Sequence, residues 1–369
     1  MKFLDVVEIN PSIELKKGQL YPFVEMANVG TSCREPIAIE KKHFSSGVKF
    51  QDGDSVFARI EPCLQNGKKF FCHNIGSGFG STEYLVFRPK GDAINNVWLY
   101  YLLQTEYIRK SMINSMTGAT GRQRVNTDIF KSIEISIPPI EHQRVIANYL
   151  GCFDDLIETN QKQIKLLEEA AQRLYKEWFV DLKFPGHEKT KIIDGVPEGW
   201  KQLSLEKIAP ILTGKKDANF STEDGQYPFF TCAQTPLNAP SYSFDCDAVI
   251  LAGNGDFNVK LYRGQFEAYQ RTYVLSPENK EMLFLLYHAV NNSMAKLAQG
   301  ASGSTIKFLT KGMIASILVH VPGKQILGKF NESSEAIQKQ IEALKSAVAC
   351  ATEARDRLLP KLMSGEVEV

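Results

Sequence analysis

The chain repeats itself. This limits the available folds more than any other feature, because each copy must be one structural unit that packs alone or against its twin. In the first half an extended stretch ends at Ile133-Glu134-Ile135-Ser136-Ile137-Pro138-Pro139, alternating like an edge strand closed by proline. The second half ends likewise at Ile317-Leu318-Val319-His320-Val321-Pro322. Just upstream, Thr117-Gly118-Ala119-Thr120-Gly121-Arg122-Gln123 corresponds to Gln299-Gly300-Ala301-Ser302-Gly303-Ser304-Thr305, so a G-x-x-G turn recurs before each closing strand. Both halves then change to a helical period.

The first helix starts near Glu141 and spaces Ile146, Leu150, Phe153, Ile157, Asn160, Ile164, Leu167, Ala171, Leu174 and Trp178 by fours and threes, a heptad seam. About 180 residues later Phe330, Ser333, Ile337, Gln340, Leu344, Ala347, Ala351, Ala354 and Leu358 keep the spacing, with Gln340 at the place of Asn160. Pro360 is expected to stop the second helix. At ~1.5 Å per residue each helix would run ~50 Å, too long for one small globule to bury. The two are expected to bury each other. Helix one leads out of the first half and helix two must fold back to meet it, so the pair is antiparallel, with Leu150 and Phe153 facing Ala351 and Ala354. The plainer alternative is that each helix packs only on its own domain. Turn formers from Phe184-Pro185-Gly186-His187 to Gly195-Val196-Pro197-Glu198-Gly199 mark the boundary before the second domain.

Composition narrows the function. A chain of 369 residues with 43% hydrophobic and 23% charged residues is a multidomain folded protein, not a disordered or fibrous one. It shows no signal segment and no apolar run long enough for a membrane. Seven scattered cysteines without a C-x-x-C pair read as free thiols in a reducing compartment, the cytoplasm. With 43 basic against 42 acidic residues the net charge is +1, so nucleic-acid binding would need locally arranged cations or a partner that adds charge.

Catalytic machinery is not evident. Gly76-Ser77-Gly78-Phe79-Gly80 superficially resembles a nucleotide loop but lacks the flanking strand and helix, and reads as a flexible turn. There is no G-x-x-x-x-G-K-[ST], and Asn10-Pro11-Ser12-Ile13 lacks the aromatic of a base-methylating motif. Cys63, Cys72 and His73 match no common zinc spacing and read as structural. No catalytic and no metal-binding residue is therefore assigned.

What recurs is polar, basic loop sequence. Thr117, Thr120, Arg122, Gln123 and Arg124 combine hydroxyls suited to phosphates with forked and amide donors suited to guanine and adenine edges; a solvated cap is the alternative. Lys68 and Lys69, and Lys215 and Lys216, follow glycines in basic turns that are usually only solvated surface. Asn254, Asp256 and Asn258, with Tyr269, Gln270 and Arg271, are the best candidates in the second half.

Four stretches then carry a family resemblance: Ile137-Pro138-Pro139-Ile140-Glu141-His142-Gln143-Arg144-Val145-Ile146; Asp154-Asp155-Leu156-Ile157-Glu158-Thr159-Asn160; Leu174-Tyr175-Lys176-Glu177-Trp178-Phe179-Val180-Asp181; and Arg357-Leu358-Leu359-Pro360-Lys361-Leu362-Met363-Ser364-Gly365-Glu366-Val367. Over nearly its whole length the chain resembles the DNA-specificity subunit of type I restriction-modification systems. Segments around Arg59, around Ser81 and Thr82, and at Ala252-Gly253-Asn254-Gly255-Asp256 look like parts of two target-recognition domains, and Ser302, Ser304 and Thr305 join the DNA-facing candidates by the repeat.

The resemblance implies an α+β fold: two tandem mixed α/β target-recognition domains separated by two long helices forming an antiparallel coiled coil. The expected boundaries are residues 1–140 for the first recognition domain, 141–182 for the central spacer helix, 183–323 for linker and second domain, and 324–369 for the C-terminal helix and tail. It implies a non-catalytic, cytoplasmic reader of bipartite double-stranded DNA, the helix pair setting a gap of at most about 15 base pairs. It also implies two modification subunits carrying S-adenosylmethionine and restriction subunits using ATP and magnesium, with no cofactor in this chain and no membrane. The competing readings are a coiled-coil scaffold without base readout and a single-chain DNA-modifying enzyme. One departure stands out: Pro197-Glu198-Gly199-Trp200-Lys201-Gln202-Leu203 opens domain two as the family does, whereas Met1-Lys2-Phe3-Leu4 lacks the Gly-Trp, which puts assembly contacts there in question.

Overall fold

The computed structural model describes residues 1–301, 303 and 307–368. The chain forms two compact units, one from Met1–Ile164 with Ala343–Val369 and one from Lys165–Glu342.

In the first unit Val7–Ile9, Tyr84–Pro89, Ser55–Ala58 and Lys69–Phe71 form an antiparallel sheet in that order. A second sheet runs Glu40–His43, Leu20–Val24, Gly78–Gly80, Val48–Phe50, with Leu20–Val24 and Gly78–Gly80 parallel. Ser55–Ala58 is buried on both faces, so it reads as a continuous run and not as an alternating strand. Helix Asn96–Leu102, capped by Asn95 accepting from the Trp98 amide at 3.0 Å, buries Trp98, Tyr100 and Tyr101 in the core. The closing segment packs against the chain's first residues: the Phe3 amide donates to the Ile133 carbonyl at 2.9 Å.

The first long helix spans Ile140–Tyr175. Gln143, wholly buried, pins its start by donating to the Ala93 and Pro138 carbonyls and accepting from the Asn95 amide. Ile146 and Leu150 then share one core with Leu359 and Leu362 of the C-terminal helix, Lys324–Ser364. Early residues of one helix meet late residues of the other, so the two run antiparallel here.

The second unit holds a six-stranded sheet ordered Ile211–Thr213, Thr272–Leu275, Phe244–Ala252, Val259–Ala268, Tyr227–Phe230, Leu237–Ala239, in which Val259–Ala268 and Tyr227–Phe230 are parallel. Helix Leu283–Gly300 covers one face. Closure repeats the first unit: Lys201–Ser204 pairs with Leu318–Val321, and the Leu205 amide donates to the Ile317 carbonyl at 2.8 Å. Phe3 and Leu205 are both fully buried. Here Tyr175 and Phe179 pack on Leu327 and Phe330, the Phe179 and Phe330 rings edge to face at 4.8 Å.

Several sequence expectations change. The C-terminal helix continues past Pro360 to Ser364, because a proline forfeits one amide bond while Leu359 and Leu362, almost fully buried, hold the last turns in place. The seam is rotated by about one residue toward the domains: Phe153, Ile164, Leu167, Leu174, Trp178, Ile337, Leu344 and Leu358 are only half-buried, Ser333 and Gln340 are exposed, and Asp154, Tyr175, Phe179, Ser334, Ile341, Arg355 and Leu359 are buried. Leu150, Ile157, Asn160, Phe330 and Ala351 stay buried. The helices bury one face against domain and partner together, a broader stripe than a two-stranded seam. Gly78–Gly80 is a sheet strand, not a flexible turn. Ile133–Ile137 alternates in burial but makes only an isolated bridge, Lys2 to Glu134.

His288 lies in the second core, stacked on Tyr175, its Nδ1 3.3 Å from Gln172 Oε1. Burial lowers its pKa from 6.5 to about 4. The unfolded chain therefore binds a proton that the folded chain refuses between those values. This contribution is complete above pH 6.5, is lost as pH falls toward 4, and amounts to about 3 kcal/mol. Urea unfolding of wild type and His288→Gln across this window should show a steeper acid loss in the wild type; parallel curves would refute the assignment.

Candidate nucleic-acid interface

In the first unit Thr117 and Arg124 exchange backbone bonds (3.0 and 2.9 Å) and close a hairpin whose tip needs positive φ at Gly118 and Gly121. It docks on the continuation of strand Ser55–Ala58: the Val125 amide donates to the Arg59 carbonyl, the Glu61 amide to the Gln123 carbonyl, and the Gly121 amide to Glu61 Oε2, each at 2.9 Å. Arg124 forks onto Glu83, Nη2 to Oε1 at 2.7 Å and Nε to Oε2 at 2.9 Å, and this bonding raises its pKa. Glu83 sits on the turn with Ser81 and Thr82, its amide donating to Ser81 Oγ and its carbonyl accepting from the Arg59 amide. Arg59, Ser81, Thr82, Thr117, Thr120, Arg122, Gln123 and Arg124 are thus brought together.

Their states differ. Arg122 is exposed and its guanidinium pairs with no described residue. Arg59 is half-buried, with Nε shielded from water and without a hydrogen-bond partner among the described residues. Arg124 is committed to Glu83. Lys68 and Lys69 do not turn toward the hairpin: Lys68 Nζ donates to the Met26 carbonyl at 2.7 Å and Lys69 Nζ to the Thr31 carbonyl at 3.0 Å. Burial lowers the Lys69 pKa to about 8.

In the second unit the Ala252 amide donates to the Asn258 carbonyl at 2.9 Å and closes the Gly253–Asn258 loop. Gly253 meets the Arg271 carbonyl so closely that a Cβ would lie 2.3 Å from it. The Gln270 amide donates to the Lys216 carbonyl, and Lys216 bridges to Tyr269. Loops 214–216, 253–258 and 269–271 therefore form one edge. Arg271 and Lys215 are exposed, with no ion pair among the described residues, whereas Lys216 lies 4.3 Å over the Phe220 ring. Asn258 is no free reader, because its amide donates to the Cys232 and Asp256 carbonyls and accepts from Lys260. Asp256 is held by Gln234 at 2.6 Å. Asn254 bridges to Phe308 through its backbone. Ser302, Ser304 and Thr305 lie outside the described residues.

Sequence reading missed Glu61, Glu83, Gln234 and Lys260, the residues that hold these loops. Glu61 and Glu83 did carry a signal, since they lie in the segments around Arg59 and Thr82 that resemble recognition-domain sequence. Among the described residues no group of histidine, cysteine and carboxylate side chains could hold a metal, and no helix is long and apolar enough to cross a membrane.

The family model of the type I restriction modification DNA specificity domain matches residues 4–169 and 197–347, once in each half. The chain belongs to this family. It is 40% identical over 151 residues to the type I restriction enzyme EcoDI specificity subunit of Escherichia coli, a match covering 41% of this chain and 34% of that protein, about a third of its length. The putative MjaX specificity subunit of Methanocaldococcus jannaschii is 23% identical over 99% of this chain and 92% of its own. The S subunit of a type I restriction-modification system from M. genitalium shares the fold, with a TM-score of 0.57 at 17% identity over 98% of this chain and 95% of that one. Two tandem recognition domains with long helices are therefore the architecture of this specificity subunit.

Exchanging Glu83 for Ala should free Arg124 and loosen the hairpin without unfolding the unit, since Arg124 is exposed and Glu83 only half-buried. Hydrogen exchange at the Gly121 and Arg124 amides should accelerate several-fold with an unchanged melting temperature; unchanged exchange would show that Glu61 alone holds the loop.

Proposed function

We propose that this chain is the non-catalytic reader of a cytoplasmic type I restriction-modification complex, binding double-stranded DNA at two half-sites, one for each recognition domain. The observation that carries the reading is the duplication itself: each copy of the specificity domain gathers loops at one sheet edge and leaves an arginine there, Arg122 or Arg271, exposed and with no ion pair among the described residues. Such a fork can take guanine O6 and N7 in the major groove, while the threonines and loop amides suit phosphates.

The two long helices, of 36 and 41 residues, are the proposed spacer that sets the gap between half-sites. Two modification subunits binding S-adenosylmethionine, and restriction subunits using ATP and magnesium, are the expected partners. Phosphate neutralisation by them is consistent with a net charge of only +1 here.

Co-expression with the cognate modification subunit in a methylation-free host, followed by direct mapping of methylated bases, should yield a split target of two short specific halves around a fixed gap. Arg122→Ala and Arg271→Ala should each weaken binding by about 1–3 kcal/mol and relax one half only. A stable complex that methylates nothing, or variants that bind all sequences as the wild type does, would leave a scaffold as the better reading.

A further inference from the structure

In the first unit one buried carboxylate is shared by three elements. Asp154 of the first long helix is 1% exposed. Its Oδ2 accepts the Tyr101 hydroxyl at 2.5 Å, and its Oδ1 accepts Arg355 Nη1 of the C-terminal helix at 2.5 Å. The same nitrogen of Arg355 donates to the Ser32 carbonyl at 2.7 Å, and Nε and Nη2 donate to Asp356. The segment after Ser32 is tied to the same helix: Arg34 pairs with Asp155 and Glu158, Glu35 with Lys162, and Cys33 Sγ donates to Gln161 Oε1 at 3.1 Å.

Ile146 and Leu150 of the first helix and Leu359 and Leu362 of the second share one aliphatic core beside this pair. A slip of one turn, ~5.4 Å, exchanges one aliphatic neighbour for another at little cost. The ion pair does not tolerate that slip, because carboxylate and guanidinium would both stay buried without a counterion. In the second unit, considered by itself, the helices meet through the rings of Tyr175, Phe179 and Phe330, with no comparable buried ion pair among the described residues.

We infer that the Asp154–Arg355 pair, completed by the Tyr101 hydroxyl and the Ser32 carbonyl, is a register key that holds the C-terminal helix at one setting against the first long helix and fixes the first recognition domain to both. Asp154, Arg355 and Tyr101 are on this account positioning residues for target selection. That consequence rests on the DNA-reading function proposed above. A slip of ~5.4 Å set against ~3.4 Å per base pair corresponds to a gap error of one or two base pairs.

The test separates register from folding. In the full chain, spin labels on Cys152 and Cys350, the two exposed cysteines, report the helix pair without reference to DNA. The triple variant Asp154→Leu, Arg355→Met, Tyr101→Phe replaces the charged key with apolar groups and leaves no orphaned hydroxyl. It should fold, yet the label distance distribution should at least double in width, and in the complex methylation at targets with gaps one base pair off should rise at least ~5-fold. Arg355→Lys keeps the ion pair and should retain a narrow distribution and the wild-type gap. Should the triple variant not fold, Asp154→Asn, of the same shape, carries the same expectation of broadening.

A narrow distribution with wild-type gap selectivity in the uncharged variant overturns the key, as does broadening in Arg355→Lys equal to that of the triple variant. If the wild-type complex yields no split target while the labels still broaden in the uncharged variant, the DNA-reading function fails and the register key stands.

Discussion

A long amphipathic helix cannot bury its own apolar stripe, and this constraint organises both units. The 36-residue helix that leaves the first domain and the 41-residue helix that leaves the second each end in a core made elsewhere in sequence. Leu359 and Leu362 complete the core of a domain whose strands lie before residue 90, and Tyr175 and Phe179 complete a core otherwise built from residues 205–330. The first unit is assembled from two separate stretches of chain, Met1–Ile164 and Ala343–Val369. The fold therefore depends on long-range pairing, which secondary-structure propensity alone does not provide.

Within that frame the two copies spend their polar groups differently. The first unit buries Asp154 against Arg355 and Tyr101, a directional arrangement that only one alignment satisfies. The second uses rings, whose edge-to-face contacts are broad and less exacting, and it keeps His288 neutral among them. Duplication supplied the shape twice, and the chemistry at the helix ends then diverged.

The same division appears at the loop edges. Carboxylates and amides, Glu61 and Glu83 in one unit and Gln234 and Asn258 in the other, hold the loops by hydrogen bonds to backbone, to a neighbouring cation and, for Gln234, to the Asp256 carboxylate. The arginines left over, Arg122 and Arg271, face solvent. Each edge combines a held loop with a free cation, and telling the two roles apart requires coordinates. Arg124 and Asn258, chosen from sequence as readers, turn out to be mainly holders.

Sequence by itself determined the duplication, the closing strand Leu318–Val321 before the second helix, the helical period and the family, because these are local patterns of apolar spacing and motif that hold wherever the chain goes in space. The four motif stretches were enough for the family; Gln143 in the first of them proved to be the helix-start pin, for a reason invisible in sequence. Tertiary structure decided which face of each helix is buried, moving the inner row from Phe153, Gln340 and Leu358 toward Asp154, Ile341 and Leu359, because the domains press on the helices as well as the helices on each other. It also decided which loop residues are free, since a side chain's partners, Glu83 for Arg124 or the Thr31 carbonyl for Lys69, come from segments dozens of residues away, and no spacing rule reaches them.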